Sequence, residues 1–135
     1  MTIGIPRSIP VKANIAPWLA VRDGHRAVAY YQAAFGAVEL YRLEDDEGRV
    51  MVAQFVVGGA DFWVQEDPDS SPGGGVPPIR MILTVDEPEV VFQQALAAGA
   101  REIAPVSEGN GWLIGRLVDP FGHQWEVGKP LGNVP

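Results

Sequence analysis

The stretch WLAVRD at residues 18–23 has a counterpart in MILTVD at residues 81–86, and this pair decides the fold. Each stretch is an apolar run that ends in Asp and precedes a segment with helical periodicity. Each helical segment ends in Gly-Ala, at Gly36 and at Gly99. The offset, 99 − 36 = 63, also relates Gly59 to Gly122. Landmarks that recur at one offset indicate an internal repeat.

The two halves are predicted to share one order of elements: a strand, a helix and three more strands. Helices are expected over residues 24–35, after Asp23 as N-cap, and from Asp86 to Gly99, with Glu89 completing a capping box. Predicted strands cover residues 15–22, 38–43, 50–57 and 61–65, then 79–85, 102–105, 112–118 and 124–128. This is an α+β fold of two βαβββ modules. We expect one concave, eight-stranded mixed sheet with the helices outside.

The length of 135 residues fits a single domain, residues 1–135. We place module one at about residues 12–66 and module two at about residues 79–130. Residues 67–78 between them hold four prolines and three consecutive glycines, so they are predicted to be a linker.

The charge and cysteine content exclude several classes of function. With 10 Lys plus Arg against 17 Asp plus Glu, the formal charge is −7, which disfavours nucleic acids and anionic membranes as partners. The chain has no cysteine, so it forms no disulfide and uses no thiolate chemistry. No apolar run has the length of a signal peptide or a membrane span. We therefore expect a cytoplasmic protein.

The stretch DPFGHQWEV at residues 119–127 carries the most specific resemblance to a known family. Together with residues 18–35 and 85–99, it resembles the vicinal oxygen chelate superfamily, which comprises glyoxalases, bleomycin-resistance proteins and ring-cleaving dioxygenases. The resemblance covers roughly residues 13–130 and is nearest to a branch whose members mostly lack a metal. It implies a concave cavity. In metal-using members, two His and one or two Glu on the first and last strands of each half hold a divalent ion there.

The positions that this resemblance assigns to metal ligands read Ala16, Trp63, Arg80 and Glu126 in this chain. Ala has no donor atom, the Trp indole offers only an N–H, and Arg is a permanent cation. The set therefore predicts no metal and no cofactor. Arg80 and Glu126 are expected to meet in the cavity. They form either a structural ion pair that replaces the metal or an anchor for an anionic or carbonyl-bearing ligand.

Alternation along the strands puts Trp18 and Trp63 on the concave face, where they can stack on a flat or cationic ligand or simply fill space. Trp112 and Arg116 are expected to reach the same side. His25 and His123 fall outside the ligand positions and are expected to be surface or hydrogen-bonding residues rather than catalytic ones. No catalytic residue can be assigned. The candidate ligand-binding residues are Trp18, Trp63, Arg80, Trp112, Arg116 and Glu126.

Three functions remain open at this stage. The first is metal-independent binding of a small, aromatic or cationic molecule, as in bleomycin-resistance-type proteins. The second is a metal-dependent lyase, isomerase or dioxygenase of the glyoxalase type. The third is a ligand-free dimeric interaction module, which predicts a filled cavity with Trp18 packed on Trp63. We favour the first and expect a homodimer. Whether the chain is an enzyme is left open.

Overall fold

A computed structural model describes residues 14, 16–70 and 80–131 of the chain. Both predicted βαβββ modules are confirmed. The elements of module one are β1 (Trp18–Val21), α1 (Gly24–Phe35), β2 (Val38–Glu44), β3 (Val50–Val57) and β4 (Ala60–Glu66). Those of module two are β5 (Arg80–Thr84), α2 (Pro88–Ala97), β6 (Arg101–Gly109), β7 (Trp112–Val118) and β8 (Gln124–Pro130). Most of the predicted linker lies outside the described residues, so the domain limits stay a prediction.

The strands form two four-stranded sheets, in the orders β1-β4-β3-β2 and β5-β8-β7-β6. In each sheet the first and last strands of the module pair in parallel, and the other neighbours are antiparallel. The mixed-sheet α+β class is therefore confirmed, with the eight strands divided between two sheets. Side chains also link the modules: for example, the ring Nε2 of His123, beside β8, lies 2.7 Å from the carbonyl oxygen of Ala20 in β1.

Local signals set the limits of α1 as predicted. The Asp23 side chain accepts a hydrogen bond from the backbone N–H of Arg26, and Gly36 ends the helix with φ of 66°. The capping box predicted for α2 is wrong: Glu87 is its N-cap and makes no side-chain cap hydrogen bond. Proline disfavours helical geometry in the residue before it, so the helix begins at Pro88 and Asp86 lies one residue too early. Neither helix of the described part is long and apolar enough to cross a membrane.

The strand β6 also differs from expectation. The sequence predicted a short strand at residues 102–105 followed by a loop, but β6 spans Arg101–Gly109 and pairs with β7 along this length. Pro105 is tolerated because β6 is an edge strand, and the pairing shifts register on both sides of Ala104.

One apolar core joins the two modules. The rings of Phe62 in β4 and Trp125 in β8 lie 5.4 Å apart, centroid to centroid, and both are buried. The α1 residue Phe35 contacts the same indole, with centroids 4.8 Å apart. Tyr31, also in α1, is fully buried among these rings. Because each module contributes aromatic side chains to one cluster, neither sheet has a core that is independent of the other.

A buried carboxylate, Asp119, ties this core together. Its Oδ2 accepts hydrogen bonds from the Tyr31 hydroxyl at 2.6 Å and from the Trp125 indole N–H at 2.9 Å. Its Oδ1 accepts the backbone N–H groups of Phe121 and His123, each at 2.9 Å. The turn after β7 is thereby fixed to α1 of the other module. We call this arrangement the Asp119 junction.

The junction predicts a loss of stability at alkaline pH. Burial raises the pKa of Tyr30 and of Tyr31 above the ordinary value of 10.0, and the negative charge of Asp119 raises both further. The folded chain therefore holds these protons more tightly than the unfolded chain does. Their contribution to stability is complete below about pH 10 and is lost as pH rises through the folded-state pKa values.

Urea unfolding between about pH 8 and about pH 11 measures this loss. The free energy of unfolding should fall above about pH 10, and less steeply in Tyr30→Phe, which removes one ionisation. Tyr30→Phe is a mild substitution because the Tyr30 hydroxyl is buried without a hydrogen-bond partner among the described residues. Identical slopes for the wild type and Tyr30→Phe would contradict the assignment.

Candidate functional site

The face of the second sheet that carries Glu126 holds a three-residue ionic cluster. Glu126 lies on β8, between β5 and β7, and β7 places Arg116 directly opposite it. Arg80 Nη1 lies 3.0 Å and Arg116 Nε 3.5 Å from the same atom, Glu126 Oε2. The predicted meeting of Arg80 with Glu126 is confirmed, and Arg116 joins it. Glu126 is only 8% exposed, whereas the arginine side chains are 46% and 52% exposed.

A small cavity of about 130 Å³ adjoins this cluster. Its walls are Ile82 of β5 and Trp112 and Ile114 of β7, and it also touches Glu126 and Gly128 of β8. Gly128 has no side chain to fill this space. A Cβ there would overlap the carbonyl oxygen of Leu113, so the position requires glycine. The predicted candidate Trp112 is thus placed beside Glu126.

The first sheet presents an exposed aromatic platform. The register pairs Trp18 with Trp63, and their rings stack with centroids 5.8 Å apart and planes 20° apart. Trp18 is 54% exposed, and its indole N–H donates to Gln65 Oε1 at 2.9 Å. We call Trp18 and Trp63 the indole stack. The half-exposed ring of Tyr41 lies 5.9 Å from Trp63, a neighbour that sequence reasoning missed. A register irregularity just before Tyr41 in β2 hides it from simple alternation.

A wider cavity of about 550 Å³ lies where the modules meet. Its polar residues include Asp61 and Arg80, from β4 and β5 respectively, and Ala16 also borders it. Asp61 accepts hydrogen bonds from the side-chain amides of Asn14, at 3.2 Å, and of Gln54, at 3.1 Å. Most of the remaining lining is apolar. A small molecule with an apolar body fits such a space.

The donor atoms at the four family positions do not fit a divalent metal. Ala16 and Trp63 supply no lone pair, and Arg80 places a guanidinium 3.0 Å from the one carboxylate, Glu126. A cation at this carboxylate would also be repelled by the positive charges of both Arg80 and Arg116. In residues 14, 16–70 and 80–131, no group of three His, Cys, Asp or Glu side chains could hold a metal ion.

The histidines make structural contacts. His25 Nε2 lies 3.2 Å from the carbonyl oxygen of Gly48, and His123 Nε2 lies 2.7 Å from that of Ala20. Both contacts agree with the expectation from sequence. The six candidate ligand-binding residues thus fall into two groups. The first sheet carries Trp18 and Trp63, and the second carries Arg80, Trp112, Arg116 and Glu126.

Comparison with known proteins gives the family. The profile described as Glyoxalase-like domain matches residues 18–128, so the chain belongs to this family, within the glyoxalase, bleomycin-resistance and dioxygenase superfamily. The uncharacterized protein Rv0887c of Mycobacterium tuberculosis is 32% identical, over 97% of this chain and 82% of its own.

Two solved structures illustrate the likeness. The structure of TioX from Micromonospora sp. ML1 is 27% identical, with a TM-score of 0.72 over 89% of this chain and 100% of its own. The fosfomycin resistance protein FosX from Listeria monocytogenes is 16% identical, with a TM-score of 0.68 over 89% of this chain and 94% of its own. At that identity, FosX shows only a shared fold.

Proposed function

We propose that this protein binds a small molecule with a flat aromatic or cationic group, without a metal ion. The indole stack is the observation that carries the proposal. An indole that is 54% exposed leaves a large apolar surface in water, and covering that surface with a flat ligand is favourable. The Trp18–Gln65 hydrogen bond fixes the ring in place, so binding costs little side-chain ordering.

The net charge of the chain and the carboxylate of Asp61 both support a cationic group on the ligand. The chain carries a formal charge of −7, which raises the local concentration of cations. Asp61 lies on the same face of β4 as Trp63, two residues before it, and is partly exposed. A cation over an indole face gains a cation–π attraction, and a nearby carboxylate adds to it.

Removal of Trp18 tests the proposal. Planar aromatic compounds, among them the cation proflavine, are titrated into the protein while tryptophan fluorescence is recorded. Saturable quenching is expected, with Trp18→Ala weakening binding about tenfold because it removes stacking of about 1–2 kcal/mol. Leu40→Ala, at another exposed apolar residue of the first sheet, serves as the matched control. A panel without saturable quenching would overturn the function.

Metal independence is tested separately against the alternative of a metal-dependent lyase, isomerase or dioxygenase. A native mass spectrum is recorded with and without added nickel, zinc or manganese. We expect no ion bound in stoichiometric amount, because Arg80 and Arg116 already neutralise Glu126. One ion per chain that disappears in Glu126→Ala would favour the metal-dependent alternative.

A second candidate, a ligand-free dimeric interaction module, has one observation in its favour: Trp18 does pack on Trp63. The cavity of about 550 Å³ where the modules meet argues against the filled cavity that this candidate also requires. We propose a homodimer in either case, because large apolar side chains remain exposed on both sheets. Sedimentation equilibrium of the wild type and Trp18→Ala separates the two: dissociation of the dimer by Trp18→Ala, without any ligand effect, favours the interaction module. The cytoplasmic location stays a prediction.

A further inference from the structure

The ionic cluster of the second sheet carries more positive than negative charge. Two guanidinium groups, of Arg80 and Arg116, share one carboxylate oxygen of Glu126. A structural ion pair needs only one arginine. The second adds a surplus of one positive charge to a face of a chain whose formal charge is −7. This local excess opposes the overall charge, so it calls for an explanation specific to this face.

The arginines retain unused donors. Each guanidinium has five N–H donors in a planar fork. Within the described residues, the salt bridges of Arg80 and of Arg116 involve only Glu126, one nitrogen from each. Both side chains are about half exposed, at 46% and 52%, so their remaining N–H groups can meet a ligand. Glu126 holds both guanidinium groups on one face of the sheet. Arg116 lies opposite it on β7, and Arg80 lies on β5, the neighbour on the other side of β8.

An apolar recess adjoins Glu126, the carboxylate that holds these two arginines. The cavity of about 130 Å³ between Ile82 and Trp112 touches Glu126 itself. Ile82 is 67% exposed, so one wall of the recess is an apolar surface in contact with water. A ligand whose body covers Ile82 and Trp112 would bring its end group to Glu126 and its two arginines.

We propose that the Arg80–Glu126–Arg116 cluster binds the anionic group of a small organic ligand, a carboxylate or a phosphate-type oxyanion, whose apolar body lies in the Ile82–Trp112 recess. This inference rests on the proposed small-molecule function and names the ligand's chemical class. Arg–oxyanion hydrogen bonds are charge-assisted and can be bidentate, and Glu126 orients the forks while offsetting only one of the two charges.

Three probes of one size test the inference: benzoate, benzyl alcohol and benzylamine, titrated into the full chain by calorimetry. Benzoate should bind about tenfold more tightly than benzyl alcohol, because charge-assisted hydrogen bonds add that much affinity. Arg116→Gln and Arg80→Gln should each weaken benzoate about tenfold and leave benzyl alcohol unchanged. Glu126→Gln should strengthen benzoate binding, since it removes a competing negative charge.

The control is Arg101→Gln, at an exposed arginine at the start of β6, which changes the net charge equally. It should leave benzoate binding unchanged; an equal loss in Arg101→Gln would reduce the effect to overall charge and overturn the inference. If the cluster is only a structural ion pair, Arg80→Gln and Arg116→Gln would destabilise the fold but leave the order of the probes' affinities unchanged. If planar compounds still quench the tryptophan fluorescence but benzoate binds no more tightly than benzyl alcohol, this inference fails and the proposed function stands. If no compound binds, the proposed function fails.

Discussion

Asp119→Ala is expected to lower the free energy of unfolding by about 4 kcal/mol or more, the largest effect of any single substitution proposed for this chain. Asp119 is 3% exposed and accepts four hydrogen bonds, two from side chains and two from backbone N–H groups. Each buried donor left without an acceptor costs about 1–3 kcal/mol. The loss also separates α1 from the turn before β8, so both modules are weakened together.

Urea unfolding followed by circular dichroism measures the effect. Asp119→Asn should also be destabilising, because its amide keeps only one acceptor oxygen and its N–H₂ would face two of the four donors. If Asp119→Ala does not fold, Tyr31→Phe removes one of the four bonds and should cost about 1–2 kcal/mol. The control is Asp86→Ala, at an exposed Asp beside the start of α2, where little change is expected. A loss below about 1 kcal/mol in Asp119→Ala would contradict the role of the junction.

The sequence predicted those parts of the fold that local chemistry and the repeat determine. Asp23 and Gly36 set the limits of α1 through their own backbone geometry, so the helix could be placed to the residue. The repeat supplied more. The offset of 63 aligned the strands of the two halves, and the family resemblance then assigned Arg80 and Glu126 to one face, where their side chains meet.

Contacts between residues far apart in sequence could not be predicted. The junction at Asp119 is one such case, because nothing near Asp119 in sequence shows that Tyr31, 88 positions earlier, donates to it. Tyr41 escaped for a related reason: a register shift in β2 breaks the alternation by which faces are assigned. Arg116 was expected on the concave side, but its shared contact with Glu126 depends on the pairing of β7 with β8. The division into two sheets likewise depends on which edges approach each other.

At Gly24, the local sequence and the structure predict opposite effects of a substitution on the free energy of unfolding. Gly24 opens α1, and local propensity alone predicts that Ala there stabilises the helix, by up to about 1 kcal/mol. The structure predicts the opposite. A Cβ at Gly24 would overlap the backbone carbonyl oxygen of Val50, at the start of β3, and its other close neighbours belong to the same residue. Backbone cannot move aside as a flexible side chain can, so Gly24→Ala should lower the free energy of unfolding by about 3 kcal/mol.

The matched control is Gly109→Ala at the end of β6, where an added Cβ meets no atom within 4 Å and the backbone needs no positive φ. Urea unfolding of both variants should show a large loss for Gly24→Ala and none for Gly109→Ala. Displacing α1 from β3 would also strain the hydrogen bond from the Gly24 N–H to Glu66 Oε1, 2.9 Å long, which fixes the helix start to the end of β4. Because β4 carries Trp63, the same variant should disturb the indole stack. If Gly24→Ala were stabilising, helix propensity would govern this site and the close contact of α1 with β3 would be wrong.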